Sequence, residues 1–475
     1  MNTGEALGEH AAVENPDRFG GRVREFVLAG VATVLVSLAV TNSTFLVVVA
    51  CLSLAIIALM RFEFFVYGLI FLLPWYPLLD AKPPFRDIFL LLRFALLAGV
   101  WIIRKRQGKS VADWILGSKL KKGVLVFAGV ATLSLLISSV PANADAYRSL
   151  VRLFSYLAIF FAIAGWVENR RQLTAIIQTM LLSTIGVALF GFYQVYEKGY
   201  TDLYFHLYPL QEDALEPWTG RITSLLFHFN SLAGYLNLVL PFAVAAMVLA
   251  KTRVLRVLAM VCQSAGLAAL YLTASRGGLI AYGGMLFVTF FFLVPKRAAF
   301  GKILISLLLA ASLVLSMQES GTLGRVQEVD DFTQTTRLAL WTAAGMMFLG
   351  HPVLGVGFGD YRSLYNDYLP GVRPNELDAH NLYLQLLAET GVVGFLIFCL
   401  LMVAFARLAI KSARQPDPLY RLVGIGVGGA LAATLIHGMV DYIFNVSPQS
   451  GGMLWLVLGL GVVLSRFPTS AESSC

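Results

Sequence analysis

Residues 378–409 read DAHNLYLQLLAETGVVGFLIFCLLMVAFARLA, and this stretch decides the fold. Asp378, His380 and Asn381 close a long polar loop. From Leu382 to about Ala409 the chain then turns strongly apolar, with Gly391 and Gly394 inside the run. About twenty apolar residues cross a bilayer, so the run reads as a membrane helix with a polar group at its mouth. A titratable side chain held there is costly to keep idle, which points to chemistry at a membrane surface.

Similar runs recur along the chain, at 26–40, 45–60, 64–79, 88–103, 123–140, 149–167, 172–193, 230–250, 255–273, 278–294, 302–317, 422–440 and 452–465. Some are short, and the first pair reads equally as one re-entrant hairpin, so the expectation is an all-α polytopic membrane protein of about 12–14 transmembrane helices. The composition agrees. At 58% hydrophobic and 13% charged, the 475 residues are too apolar for a soluble domain. Cys51, Cys262 and Cys399 lie inside apolar runs and Cys475 ends the chain, with neither a disulfide framework nor a zinc-type CxxC spacing. The run from Phe26 to Val40 is followed at once by another, so it reads as a retained signal anchor rather than a cleaved signal peptide. The expected organisation is an N-terminal tail over 1–25, a membrane domain over 26–467 with long outer loops at 194–229 and 318–380, and a short tail over 468–475.

Alternating sides from a cytoplasmic N-terminus puts 24 of the 36 Lys and Arg residues in cytoplasmic segments, among them Arg104, Lys105, Arg106, Lys119, Lys121, Lys122, Arg170, Arg171, Lys251, Arg253, Arg256 and Lys411. That positive-inside asymmetry accounts for most of the net charge of +8, leaves no case for nucleic-acid binding, and puts both termini in the cytoplasm. Of the other 12, ten are Arg, with Lys82 and Lys198 the exceptions. A guanidinium grips phosphate oxygens bidentately and stays charged, so this outer set suits a phosphorylated ligand. Arg86, Arg93, Arg148 and Arg152 read instead as snorkelling residues at helix ends.

The loop after residue 318 is too long for an idle connector. Within it, Thr336 to Gly350 reads as a short interfacial helix anchored by Arg337 and Trp341. His351-Pro352, the spaced glycines Gly355, Gly357 and Gly359, and Tyr361, Tyr365 and Tyr368 follow.

Four pieces fall on the outer side: Arg221 to Asn230; Thr273-Ala-Ser275-Arg276-Gly-Gly; Thr335-Thr-Arg337 with Trp341; and His380-Asn381. The glycines beside Arg276 let backbone approach a ligand closely. His380 is expected in the first turn of its helix with Asp378 as N-cap. The positive helix end would then keep it neutral near pH 7 and able to accept a proton. His228 and His351 read as loop caps or braces. His437 and Asp441, one turn apart, read equally as a hydrogen-bonded structural pair or as support for the site. A rival reading makes Glu376, Asp378 and His380 ligands of a divalent metal. Against it, Asp378 is wanted as a cap and no second ligand cluster is visible, so no metal or other cofactor is expected. The motifs of serine hydrolases, NTPases and zincins are absent from the sequence.

These residues resemble the O-antigen ligase and polymerase family of bacterial envelope glycosyltransferases. The carriers are Arg221–Phe242 (RITSLLFHFNSLAGYLNLVLPF), Leu272–Ala281 (LTASRGGLIA), His351–Tyr361 (HPVLGVGFGDY) and His380–Gly394 (HNLYLQLLAETGVVG). The last is similar to the ligase pattern of His, then Asn, Ser or Gln, nine residues, Gly, two residues, Gly. The resemblance runs from about Val124 to the C-terminus. It implies a GT-C-like, metal-independent, inverting glycosyltransferase of the bacterial inner membrane, working at the periplasmic face on an undecaprenyl-diphosphate-linked glycan donor. The acceptor would be lipid A-core in lipopolysaccharide assembly, or a growing polysaccharide or a protein in a polymerase or protein O-oligosaccharyltransferase. It implies His380 as base, Arg221 and Arg337 as arginines needed for activity and Arg276 as the Ser-Arg-Gly arginine. Ser275, Asn381, Asp378 and Asp441 are expected in support.

The chemistry points the same way. Arginines from separate loops can stabilise a diphosphate leaving group without a metal, and a neutral histidine can deprotonate an acceptor hydroxyl. The alternative of another class is a polysaccharide flippase or transporter. Such proteins have internal repeats, interrupted helices and ionisable groups at mid-membrane depth, whereas the polar residues here gather at one face.

Overall fold

The computed structural model describes residues 61–75, 88–138, 143–197, 220–226, 228–293, 326–370, 378–442 and 448–467. The chain divides into two compact units, 1–68 and 69–475. Of the first, only 61–68 are described, and 62–68 form the start of α1 (Phe62–Leu72).

In the second unit the helices are α2 (Ile88–Arg106), α3 (Val111–Leu116), α4 (Lys119–Leu136), α5 (Ala144–Trp166), α6 (Arg170–Tyr196), α7 (Phe229–Leu249), α8 (Arg253–Leu272), α9 (Arg276–Leu293), α10 (Val326–Gly350), α11 (Tyr361–Tyr368), α12 (Leu382–Ala413), α13 (Pro418–His437) and α14 (Pro448–Leu464). No β-strand occurs among the described residues. Seven helices, α5 to α9, α12 and α13, are long and apolar enough to cross a membrane. The protein is therefore an all-α polytopic membrane protein. The expected helices at 26–40, 45–60 and 302–317 lie outside the described residues.

Local sequence fixes the helix starts. Asn143, Asn169, Thr252 and Asp417 each cap a helix through a side-chain oxygen; Asn169 forms a full capping box with Gln172, and Pro418 follows the Asp417 cap. The core is built around α7, whose membrane window is 83% buried against 33% for α8, making α7 central and α8 peripheral. It packs against α13, α8, α9 and α14. Close approach to α13 depends on Gly426 and Gly429, where a Cβ would come within 2.6 Å of Phe242 and Pro241 respectively.

The antiparallel bundle has two unlike ends. One gathers the basic helix termini: Arg104 donates to the Gly165 carbonyl, Lys109 pairs with Glu168, and Arg170 pairs with Asp417. The other brings together the start of α12, the end of α13, the α8–α9 junction and the segment before α7. There Leu382 N–H donates to Gly438 O (2.7 Å) and Ile222 N–H to Leu272 O (3.1 Å).

Three expectations change. The interfacial helix begins ten residues earlier, at Val326, because polar residues extend the helix before its apolar part starts. Arg93 does not snorkel: it is 2% exposed, donates to Ser155 Oγ (3.0 Å) and lies against the rings of Phe89 and Tyr156. Burial of its whole side chain among polar and aromatic partners replaces a solvent path. The third concerns α12, which is broken at Gly391 (φ 60°, ψ −167°). Its freed backbone is taken up by the preceding loop. Val392 and Val393 N–H donate to Pro352 and Val353 carbonyls, and Val356 and Gly357 N–H donate to those of Ala388 and Glu389. A Cβ on Gly391 would sit 2.3 Å from the Val353 carbonyl, and one on Gly355 equally close to that of Glu389. The spaced glycines of the HPVLGVGFGDY segment, all at positive φ, serve this docking.

Candidate functional site

The turn before α12 is held from both sides. Asn381, not Asp378, is the N-cap: its Oδ1 accepts from Tyr383 and Leu384 N–H, while its Nδ2 donates to Met439 O (2.9 Å). Tyr383 Oη donates to Leu435 O. The start of α12 thus satisfies carbonyls at the end of α13 that would otherwise be orphaned. Inward, Ala379 N–H donates to Gln385 Oε1 (2.7 Å), and Gln385 Nε2 donates to the buried Glu389 Oε1 (2.8 Å). His380 therefore lies outside the first helical turn, at φ 46°, which corrects the expectation from sequence. Asn caps as well as Asp does, and it sits three residues nearer the apolar run.

From that position His380 Nδ1 meets Asp441 Oδ1 at 3.3 Å, with 27% of the histidine side chain exposed and 10% of the aspartate. Burial alone would raise the Asp441 pKa. The hydrogen bond to His380 and the nearby His380, His437 and His228 outweigh it and hold the carboxyl well below the usual range. An ionised carboxylate only accepts, so Nδ1 carries the donated proton and Nε2 keeps the basic lone pair. Of the two readings of His437 and Asp441, the side-chain pair does not form. Asp441 turns to His380, and His437, 1% exposed, has no hydrogen-bond partner on either ring nitrogen among the described residues. His437 instead lies beneath the α8–α9 junction, where a Cβ on Gly277 would come 3.3 Å from its ring.

At that junction Ser275 Oγ donates to Asn230 Oδ1 (2.7 Å) and accepts from Gly278 N–H, capping α9 so that Arg276 opens it. Arg221 reaches across: Nε donates to Thr273 O (2.9 Å) and Nη2 to Ala274 O (3.0 Å), with the guanidinium 3.2 Å from the centroid of Phe229. Burial lowers the Arg221 pKa to about 10, helped by Arg276 and Arg337, so Arg221 lies within electrostatic reach of both. Arg337 comes from α10, whose Ala343, Ala344 and Met347 pack against Val356, Tyr361, Tyr365, Ala379 and Ala388, and whose Leu340 carbonyl accepts from Tyr361 Oη. Asp378 is partly buried, and burial lifts its pKa to about 7.

His228 belongs to the same cluster, although its sequence suggested only a cap. It is the N-cap of α7, with Nδ1 accepting from Asn230 N–H (3.2 Å), and it lies in the field of Asp441, His380, Arg221 and Arg337. His351 does brace its loop, 3.5 Å from Tyr368 Oη. The non-glycine residues at positive φ among the described residues are Ser224, Ala274 and His380, one in each of the three turns that carry Arg221, Arg276 and the His380–Asp441 pair. Left-handed backbone at such residues costs about 1 kcal/mol or more each and collects at functional sites. Glu376 lies outside the described residues, so the metal alternative is left to chelation experiments.

A multi-pass membrane protein with this cluster at one end of its bundle is similar, over part of its length, to a known family. Residues 261–399 match the family model described as O-antigen ligase. The match covers less than a third of the chain; it contains Arg276, Arg337 and His380, and leaves Arg221, His228 and Asp441 outside. No curated protein matches the chain.

Proposed function

We propose that the protein is a membrane glycosyltransferase of the O-antigen ligase type, which moves a glycan from an undecaprenyl-diphosphate donor to an acceptor hydroxyl at the periplasmic face. The observation that carries this reading is the convergence of Arg221, Arg276 and Arg337 with the His380–Asp441 pair at one end of the bundle. Nε2 of His380 takes the proton of the acceptor hydroxyl as its oxygen bonds to the anomeric carbon. The bond from that carbon to the diphosphate breaks, and its electron pair goes to the phosphate oxygen. Displacement from the opposite face inverts the anomeric centre. The arginines disperse charge on the leaving diphosphate, and Asp441 stabilises the imidazolium. Arg221 has Nη1 left for a phosphate oxygen once Nε and Nη2 have bridged the Thr273 and Ala274 carbonyls of the α8–α9 junction.

The break in α12 is a feature of transporters too, but here it is closed by backbone of the 352–357 loop rather than open to a ligand. That favours transfer chemistry over translocation. Reconstitution with lipid-linked oligosaccharide tests both. An enzyme gives a new glycosidic product, and lipid A-core, polysaccharide and protein acceptors separate ligase, polymerase and protein-modifying activities. Movement of donor across the vesicle without product would overturn the proposal. In the same vesicles, chelator leaves the rate unchanged. Loss of activity restored by a divalent ion would move the chemistry to a metal held by Glu376, Asp378 and His380. Impermeant thiol labelling of single-cysteine variants is expected outside the cytoplasm at 337 and 380, and inside at 105, 170 and 411. Cytoplasmic labelling at 337 or 380 would break the shared site.

A further inference from the structure

The cap geometry of His228 fixes its tautomer. Its Nδ1 accepts the Asn230 N–H, and a nitrogen that accepts in that bond cannot also hold a proton. The neutral ring must then carry its hydrogen on Nε2. The imidazole is packed against Phe229, with centroids 4.1 Å apart and planes 34° apart, and the Arg221 guanidinium lies on the same Phe229 ring. One aromatic ring therefore orders both a cation and an imidazole. The residue is exposed, and Asp441, His380, Arg221 and Arg337 all act on it.

Resting on the proposed function, we infer that His228 is an uncharged hydrogen-bond donor to the phosphoryl oxygens of the lipid-diphosphate donor, through Nε2–H and beside Arg221. Electrostatics gives the reason for an uncharged group here. Burial first, and then Arg276 and Arg337, push Arg221 down to about 10, so the site already carries opposed like charges. A fourth cation would add repulsion in the unliganded protein, whereas a neutral N–H adds a directed bond without it. Charging His228 would also set its Nδ1–H against the Asn230 N–H and break the α7 cap. The Nδ1 acceptor bond that caps α7 and the neighbouring His380, Arg221 and Arg337 oppose a charge on the ring, against the pull of Asp441, so the donor form is the one that fits the folded site.

Two amide variants separate the two ends of the ring. In His228→Asn the amide oxygen reproduces the Nδ1 acceptor and keeps the cap but cannot reach as Nε2–H does. In His228→Gln the amide N–H reaches the distal position and the cap is lost. The full-length protein in vesicles is assayed for transfer from the lipid-diphosphate-linked oligosaccharide, for inhibition by inorganic diphosphate, and for thermal stability. The inference expects His228→Asn to keep its melting temperature and lose roughly 10- to 100-fold, both in transfer rate and in the diphosphate inhibition constant. It expects His228→Gln to melt lower and to recover at least tenfold of that loss. Wild-type behaviour of His228→Asn in both ligand readouts would overturn it, leaving His228 as a cap alone. If the wild type transfers nothing while the diphosphate readout still follows this pattern, the proposed reaction falls and the donor site stands.

Discussion

Replacing Asp441 by Asn tests the proton-transfer arrangement most sharply. The amide keeps the shape and still accepts the Tyr442 N–H that Asp441 Oδ1 accepts at 2.7 Å. What disappears is the negative charge 3.3 Å from His380 Nδ1. At an effective dielectric near 20 the bare Coulomb attraction to an imidazolium at that distance is about 5 kcal/mol. The contact is longer than the usual 2.7–2.9 Å of charge-assisted bonds, and the ring is 27% exposed, so the net figure belongs near the ~1.5–3 kcal/mol of hydrogen bonds to charged groups. Since each ~1.4 kcal/mol is a factor of ten, Asp441→Asn should lose roughly 10- to 100-fold in kcat. His380→Ala, which removes the base, should lose on the order of 10²–10⁴. Donor KM should hold in both, because the diphosphate is assigned to other residues. The two losses must not add: in a His380→Ala background, Asp441→Asn should cost less than about threefold, because the partner it serves is gone. The assay is single-turnover transfer in vesicles with all four members of the cycle. Equal cost of Asp441→Asn in both backgrounds would refute the reasoning and reduce Asp441 to a structural residue.

Three further perturbations separate structure from chemistry. Arg221→Lys should lower both the melting temperature and the rate, since one ammonium cannot span the Thr273 and Ala274 carbonyls as the fork does; Arg276→Lys should lose roughly 10²-fold in rate. Near-normal turnover in both would reduce the arginines to simple charges. Gly391→Ala should destabilise by roughly 2–5 kcal/mol in detergent melts, because its φ of 60° and ψ of −167° suit only glycine and the methyl meets backbone at 2.3 Å; an unchanged melt would mean the 352–357 loop is not seated in the break. Asp378 has its folded pKa raised to about 7 from 3.8, so its contribution to stability is fully present below pH 3.8 and is lost as pH rises through 7. Asp378→Asn should therefore match the wild type near pH 4 and exceed it at pH 8 by roughly 1–2 kcal/mol, a figure discounted for partial exposure; a constant difference across that range would place the residue in water.

Much of the bundle was legible because length and apolarity suffice to mark a membrane helix. The runs beginning at 88, 149, 172, 230, 255, 278, 382 and 422 all correspond to helices, shifted by a few residues where caps such as Asn169 and Asp417 add a polar first turn. Arg276 at the α8–α9 junction and the His380–Asn381 pair at the mouth of α12 could be named because polar groups are rare in such a chain. Hydropathy could not reveal the break at Gly391, since a continuous and an interrupted apolar run look alike; the hint was the paired glycine spacing in two separate segments. Arg93 misled because sequence does not say which face of a helix an arginine occupies, and that face is turned into the core. The sequence left Asp441 open between a local pair with His437 and a place beside the site, because a one-turn spacing suggests a local partner while the residue it meets lies 61 positions away. His228 hid behind its own cap.

The choice of base among the neighbouring histidines follows from what each ring is already doing. Asp441 has three imidazoles in reach, His228, His380 and His437, and a single negative charge stabilises one imidazolium. His228 spends Nδ1 on the α7 cap, so protonation there would break a helix start. His437 is 1% exposed with neither nitrogen hydrogen-bonded among the described residues, so a charge on it would be buried without compensation. His380 touches the carboxylate and keeps about a quarter of its side chain exposed. Its left-handed backbone serves that placement, because the chain must turn sharply between Ala379, tied inward to Gln385, and Asn381, tied across to Met439. The proton taken from the acceptor is thus steered to the one ring whose charge the fold can hold.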